Sequence, residues 1–515
     1  MQNPENALPL GGPAKPTQNP SRIYEITRKE RLLLPLAAAF CVLLADTLFW
    51  HGPTAGLALA VFVWYVLTLG YVGAAPLAVR SNRVLLLAVR SNRVLLLAVL
   101  FLAATLVLGS SWYFRLWNLL ALLALLPVHA LALSGAARLP WWRPAMLWER
   151  FLLLLWGLFG NLGAVPAAAV SGKRRSRRVL PAALGAACAL LLLLFLVPVL
   201  ASADALFAAA TADLRAWVQR HFTTALWKLV WGLVLTPFVF GLLYSLRHPA
   251  PLKAAADKKY PVADALVFVL ILAALDALYL LFLAVQSAGL FGGAEYLARR
   301  GISYAEWARS GFFQMVGVTV VNLSVTMAAL TFSRREGRLW AALRALAALL
   351  ALESLVLLAS AAWRMTLYVS AYGLSFKRCM TYWGMVMMAL FLLAAARKIQ
   401  KPDFSFCRLA FPLALAGWLV INCVPVDYLV ARDQVDRYLG GESASIDVEY
   451  LLYGLSYDTL SQLKRLDGGL ICWDRSGYQR RLEDLIAERR ADARREAADW
   501  HTWSLSACLA AGDAS

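Results

Sequence analysis

Four polar side chains fall inside long apolar runs. Asp276, Asn322, Glu353 and Asn422 each lie near the middle of such a run or just past it. Ionisable groups at membrane depth are costly, so they mark substrate pathways or proton relays by default. Asp276 and Glu353 are therefore candidates for proton- or cation-exchanging carboxylates, with Asn322 and Asn422 as polar companions at a similar depth. Thr319, Asn322 and Thr326 share one helical face by their spacing. The competing, commoner role of such groups is interhelical hydrogen bonding, worth under ~1–2 kcal/mol per contact. In the first half Asp46 lies near one end of its run, and Asn118 and His129 are scattered.

The elements that hold these groups must be membrane spans. Of 515 residues, 61% are hydrophobic and only 16% charged. The mean hydropathy is +0.63. A soluble core cannot hide that much apolar surface, whereas a bilayer can, and about 20 apolar residues cross it as a helix. Eleven segments qualify: 32–50, 55–77, 94–109, 116–134, 179–201, 224–246, 262–286, 312–332, 339–362, 380–396 and 409–430. The expected architecture is an all-α polytopic transmembrane bundle with a small C-terminal helical tail. Its parts are a disordered segment 1–21, an N-terminal membrane region 22–178, a C-terminal membrane region 179–431 and a polar helical tail 432–515.

Charge sets the orientation. Arg22, Arg28, Lys29 and Arg31 precede the first span, and every second loop thereafter is rich in Lys and Arg, as in Lys173–Arg178 and Arg334–Arg338. The positive-inside rule then predicts a cytoplasmic N-terminus and an external tail, in a bacterial inner membrane. The net charge of +19 fits anionic lipid at the cytoplasmic face rather than nucleic acid, because the charges flank apolar runs. The apolar stretch 151–170 breaks the alternation if it crosses. With Asn161, Gly163 and Pro166 in it, and Trp148 and Trp156 as anchors, it reads as an interfacial or re-entrant helix.

Other chemistry is sparse. Seven cysteines form no CxxC and have no metal-ligand spacing with the five histidines, so neither a metal nor a cofactor is expected. A Cys472–Cys508 disulfide has only weak support. Residues 79–88 and 89–98 are identical copies of VRSNRVLLLA; a recent duplication or an assembly artefact accounts for them better than function does. From 480 to 500 the tail is dense in Arg, Glu, Asp and Ala, which favours an exposed helix with i,i+4 pairs.

Two stretches form a candidate external motif. In GISYAEWARSGFFQMVGVTVVN (301–322), Ser303 and Glu306 fit a capping box, and Glu306 and Arg309 lie three apart. In RMTLYVSAYGLSFKR (364–378), Tyr368 and Tyr372 share a face, and Arg364 and Arg378 bracket an external loop rich in hydrogen-bonding groups. The stretch from Tyr304 to Asn322 resembles a Y-A-x-y-x-R-x-G-F…N pattern of a bacterial multi-pass membrane family, domain of unknown function 4173, related to 4153. RMTLYVSAYGLSFKR is similar to that family's R-x-x-L-Y-x-x-x-Y-G-L-T-x-x-R. PVDYLVARDQVDRY, followed by DVEYLLYGLSYDTL, is similar to its closing pattern. Asp433 and Val426 stand where the family usually has Asn, and Ser375 where it has Thr. The resemblance implies a membrane fold and no established activity. The leading expectation is an uncharacterised integral membrane protein of transporter or permease type, its pathway in the second half. The competing class is a sensor or assembly scaffold that binds a partner or envelope component through its external loops and tail. A lipid-modifying enzyme ranks third, for want of residues that activate a nucleophile.

Overall fold

A computed structural model describes residues 24–73, 83–137, 139–141, 143, 145–170, 223–250, 263–291 and 312–512, with scattered positions between 185 and 209. The membrane-type helices are α1 (Arg28–Asp46), α2 (Ala55–Val72), α3 (Arg83–Leu108), α4 (Trp112–Ser134), α5 (Ala145–Leu155) and α6 (Ala164–Val170). They continue with α7 (Thr223–Arg247), α8 (Ala265–Phe291), α9 (Phe312–Phe332), α10 (Gly337–Tyr372), α11 (Phe376–Gln400), α12 (Cys407–Cys423) and α13 (Val426–Leu439). Among the described residues seven helices are long and apolar enough to cross a membrane, or up to nine if each of two bent pairs is one span. Two shorter apolar helices, Asn92–Leu108 and Gly317–Phe332, coincide with expected spans. The expected span 179–201 lies almost wholly outside the described residues.

One apolar core joins α1–α4, α6 and α7, from Phe40 and Trp64 through Leu102 and Leu131 to Phe240 and Leu243. Another, with Leu272, Leu330 and Leu350 at its centre, joins α8, α9 and α10. The outer surface is apolar too: Leu270, Leu278, Leu281 and Val285 of α8 are all more than half exposed. Such a surface suits lipid rather than water.

The apolar stretch 145–170 is bent by 46° between Gly160 and Ala164. Gly157 and Gly241 touch backbone to backbone there, and the Asn161 side chain donates to Gly241 O at 3.3 Å. Gly163 meets Tyr24 just ahead of α1. The bend therefore sits at the end of the bundle where α1 begins and α7 finishes, which accords with an interfacial or re-entrant element.

Two expectations change. The segment 409–430 is not one straight helix: α12 stops at Cys423 and α13 leaves at a bend of 51°. Pro425 is the cause, since it has no N–H and pushes Val424 into extended backbone, φ −85° and ψ 124°. In the expected external loop 364–378, the helix that puts Tyr368 and Tyr372 on one face and ends at Gly373 takes up more of the stretch than a loop does. α10 runs 36 residues, about 54 Å at the standard rise, and outruns the hydrocarbon core before ending at Gly373.

The tail is more than an exposed helix. Val430 and Val435 of α13 share a core with Leu452, Leu463, Leu482, Leu485 and Ala507. That core includes α14 (Leu460–Leu463), α15 (Leu482–Ala498) and α16 (Leu505–Gly512). An antiparallel hairpin of β1 (Ile471–Trp473) and β2 (Gln479–Arg481) departs from the all-helical expectation for the tail. Its turn forms because Asp474 Oδ1 accepts from the N–H groups of Ser476 and Tyr478, and Gly477 takes φ +79°. Cys472 and Cys508 are free thiols, so the weakly supported disulfide is absent.

Helix α1 packs more intimately on α7 than on any other helix, and Gly232 permits it. A Cβ at 232 would lie 2.8 Å from Val42 Cα. Small residues let helix backbones approach in membranes. Gly232→Leu is expected to force the two helices apart and cost about 1–3 kcal/mol, read as a fall in Tm of the detergent-purified protein. An unchanged Tm would show that the contact is not close.

Candidate functional site

Asp276 on α8 and Glu353 on α10 are each only 2% exposed. Their carboxyl groups are near neighbours in the bundle. None of the four oxygens has a hydrogen-bond partner among the described residues. The neighbouring donors are committed elsewhere. Tyr279, one helical turn beyond Asp276, donates its O–H to Asn322 Oδ1 on α9 at 2.9 Å. Asn322 Nδ2 donates to Ser354 Oγ at 3.0 Å, and Ser354 donates onward to Leu350 O at 2.7 Å. Three helices thus converge on one polar layer: a carboxyl pair left to itself beside a satisfied Tyr–Asn–Ser chain. Two carboxyl groups can hydrogen-bond only if one carries a proton, because an ionised carboxylate has acceptors alone. Tyr279 and Ser354 escaped the sequence reading, although Tyr279 lies three residues from Asp276 and Ser354 is adjacent to Glu353.

Asn422 is not part of this layer. Its Oδ1 accepts from Asn118 Nδ2 on α4 at 2.7 Å, and its Nδ2 donates to Trp418 O at 2.8 Å. Asn118 also donates to Thr105 of α3 at 2.8 Å and accepts from Trp418 Nε1 at 2.8 Å. The result is a closed network tying α3 and α4 to α12. It has the form of interhelical glue. His129 is likewise paired, with the Tyr65 hydroxyl at 2.7 Å. Asn118 and His129, which looked scattered in sequence, each bridge two helices.

The second external stretch is a joint. At the end of α10, Gly373 turns the chain with φ +72°, and a Cβ there would meet Gln434 Nε2 at 2.7 Å. α13 grips this turn. Asp433 Oδ2 accepts from Leu374 N at 2.6 Å, Gln434 Nε2 donates to Leu374 O at 2.7 Å, and Arg437 donates to Ser370 O at 2.7 Å. The Arg378 guanidinium lies 4.4 Å from the Tyr368 ring centre and 6.0 Å from that of Tyr372, and donates to Tyr372 O at 3.0 Å. Ser375 caps α11 by accepting from Arg378 N. Arg364 is buried one turn below. Most of the polar groups in this stretch are thus occupied in joining α10, α11 and α13. Tyr304, Glu306 and Arg309 lie outside the described residues.

The two ends of the bundle carry different ion pairs. At one end the Glu30 carboxylate, fully buried, accepts from Tyr71 at 2.9 Å and Arg247 at 3.2 Å, closing α1, α2 and α7 together. At the other end the tail docks. Ser506 bonds Ser110 at 2.9 Å, Arg115 pairs with Glu496 at 3.1 Å, and Phe376 N donates to the Tyr450 hydroxyl at 3.0 Å. His501 and Lys228 meet Asp46 at 3.1 Å and 2.6 Å. Asp499 accepts from both the backbone N–H and the ring of His501, which holds its carboxyl below the usual range. Among the described residues, Asp46, His51 and His501 form a group whose donor atoms would suit a metal ion.

The chain belongs to the family described as domain of unknown function DUF4153, whose model matches residues 95–466. No curated protein and no solved structure matches the chain. The family match takes in the carboxyl layer, the Asn118–Asn422 network and the α10–α13 joint. It leaves out Asp46, His51 and His501.

The joint gives a prediction. Asp433→Ala removes the acceptor of a partly buried N–H and is expected to cost about 1–3 kcal/mol. Asp433→Asn keeps a carbonyl oxygen in place and should retain most of the stability. Thermal unfolding of the two variants checks this; equal losses would mean that the carboxylate's charge, not its acceptor geometry, holds the turn.

Proposed function

We propose that the protein is a multi-pass protein of the bacterial inner membrane that moves protons or cations through its second half, using the Asp276–Glu353 pair as the exchanging group. The observation that carries this reading is the pair itself. Two buried carboxyl groups neighbour one another at mid-helix with no donor among the described residues. Interhelical glue ordinarily satisfies its polar groups, as the Asn118–Asn422 network does. A carboxyl pair that can share one proton is instead suited to taking up and releasing it. The Tyr279–Asn322–Ser354 chain would hold α8, α9 and α10 in register while the pair changes its proton content.

The proposed topology has the N-terminus in the cytoplasm, the tail outside, and about eleven spans. Its support is the consistent sidedness of the contacts. The turns after α1, after α3 and after α10 all touch the tail, whereas Glu30, Tyr71 and Arg247 meet at the opposite end. That is the alternation the basic loops call for. The wider relation to domain of unknown function 4173 rests on the motif resemblance. A scaffold role has its own support, a docked tail whose hairpin exposes Ile471, Trp473 and Tyr478.

Proton flux into proteoliposomes tests the leading reading. The protein is compared with Asp276→Asn plus Glu353→Gln at matched insertion and matched Tm. Flux in the parent that falls at least tenfold in the double variant is the expected outcome. Equal flux in both, or none in either, removes the carboxyl pair from any pathway and favours the scaffold.

A further inference from the structure

We infer that Asp46, His51 and His501 form a divalent transition-metal site, of the zinc class, that locks the C-terminal tail onto the first turn of the membrane domain. Asp46 closes α1, His51 lies one turn further on, and His501 arrives from the far end of the sequence. One donor atom from each lies within 4.8 Å of the other two. A tetrahedral ion with bonds of about 2.0–2.1 Å sets its donors roughly 3.3 Å apart. His501 Nε2 is already 3.1 Å from Asp46 Oδ2, and His51 Nδ1 is 3.4 Å from Asp46 Oδ1 and 3.2 Å from the Asp46 backbone oxygen, a contact it would give up on binding an ion. Modest side-chain rotation would bring the His donors together, and a fourth position would remain for water.

Three further observations fit an ion. His501 has the outer-shell arrangement of a metal ligand: Nδ1 bonds the Asp499 carboxylate at 2.9 Å, which orients the ring and leaves Nε2 facing Asp46. The two imidazoles stack with centres 4.0 Å apart and planes 6° from parallel, so both ring edges can face the same carboxylate. The chain has only five histidines, yet two of them meet here. Lys228 Nζ, 2.6 Å from Asp46 Oδ1, supplies positive charge to the same carboxylate.

The tail's attachment does not rest on the His501 side chain alone, since Ser506, Glu496 and Tyr450 also dock it. His501 O accepts from Thr54 Oγ1 at 2.7 Å and from Gly56 N at 3.1 Å. Substitution of the ring therefore preserves these backbone contacts, and the metal would be a lock added to them. All three ligands lie outside the stretch matched by the family.

The test uses the full-length, untagged protein in nanodiscs, stripped with chelator and dialysed against zinc. The expected result is about one zinc per chain, lost in both His51→Gln and His501→Gln. Cobalt in its place should give the intense visible bands of a tetrahedral ion in the parent protein alone. Zinc should also slow amide exchange around residues 499–508 of the parent, a readout that needs no variant to fold. The site is overturned if the parent retains no zinc, if either substitution leaves the stoichiometry unchanged, or if zinc leaves tail exchange unaltered.

Discussion

Inside a bilayer no water is present to satisfy a polar group, so each one must find its partner within the protein. This constraint organises the rest of the structure. Backbone groups meet it by forming helices. Asn118 and Asn422 meet it by reaching each other and Trp418 across two helices. Glu30 meets it with Thr27, Tyr71 and Arg247. Among the described residues Asp276 and Glu353 find no such partner, and that difference separates a candidate site from structural glue. Past the hydrocarbon core, at Gly373, the irregular backbone between α10 and α11 is bonded by Asp433 and Gln434.

The structure then falls into two layers of different character. In the membrane layer, cohesion comes from close helix contact, as at Gly232 against Val42, and from isolated polar pairs. In the tail layer, an ordinary apolar core around Leu452, Leu463 and Leu482 does the work, with charged surface over it. α10 and α13 connect the layers, the first by its length and the second by its bend at Pro425. Movement of α10 against α8 would therefore be felt at the joint and in the tail, although the carboxyl pair is far from both in sequence.

Much of this was legible before any coordinates. Helix length and apolar composition place nearly every described span, and the mid-span carboxylates identify themselves by the rarity of charge in such runs. The breaks were less legible. Pro425 lies inside a long apolar run, and it ends α12 because Val424 does not stay helical before it. RMTLYVSAYGLSFKR looked like a loop because it is rich in polar groups, whereas those groups serve a helix end and its clamp. Partnerships between distant residues were invisible: nothing in sequence joins Asn118 to Asn422, or His51 to His501. Spacing rules detect ligands on one helix or loop, and these pairs are made only when the chain folds back.

The central claim is that Asp276 and Glu353 share a proton in the folded protein. Infrared spectroscopy of the carboxyl C=O stretch tests it most directly, on the full-length protein in lipid at neutral pH. The account predicts a protonated-carboxyl band that disappears in Asp276→Asn and also in Glu353→Gln. Persistence of the band in both single variants, or its absence from the parent, would contradict it and leave the pair as two independent structural groups.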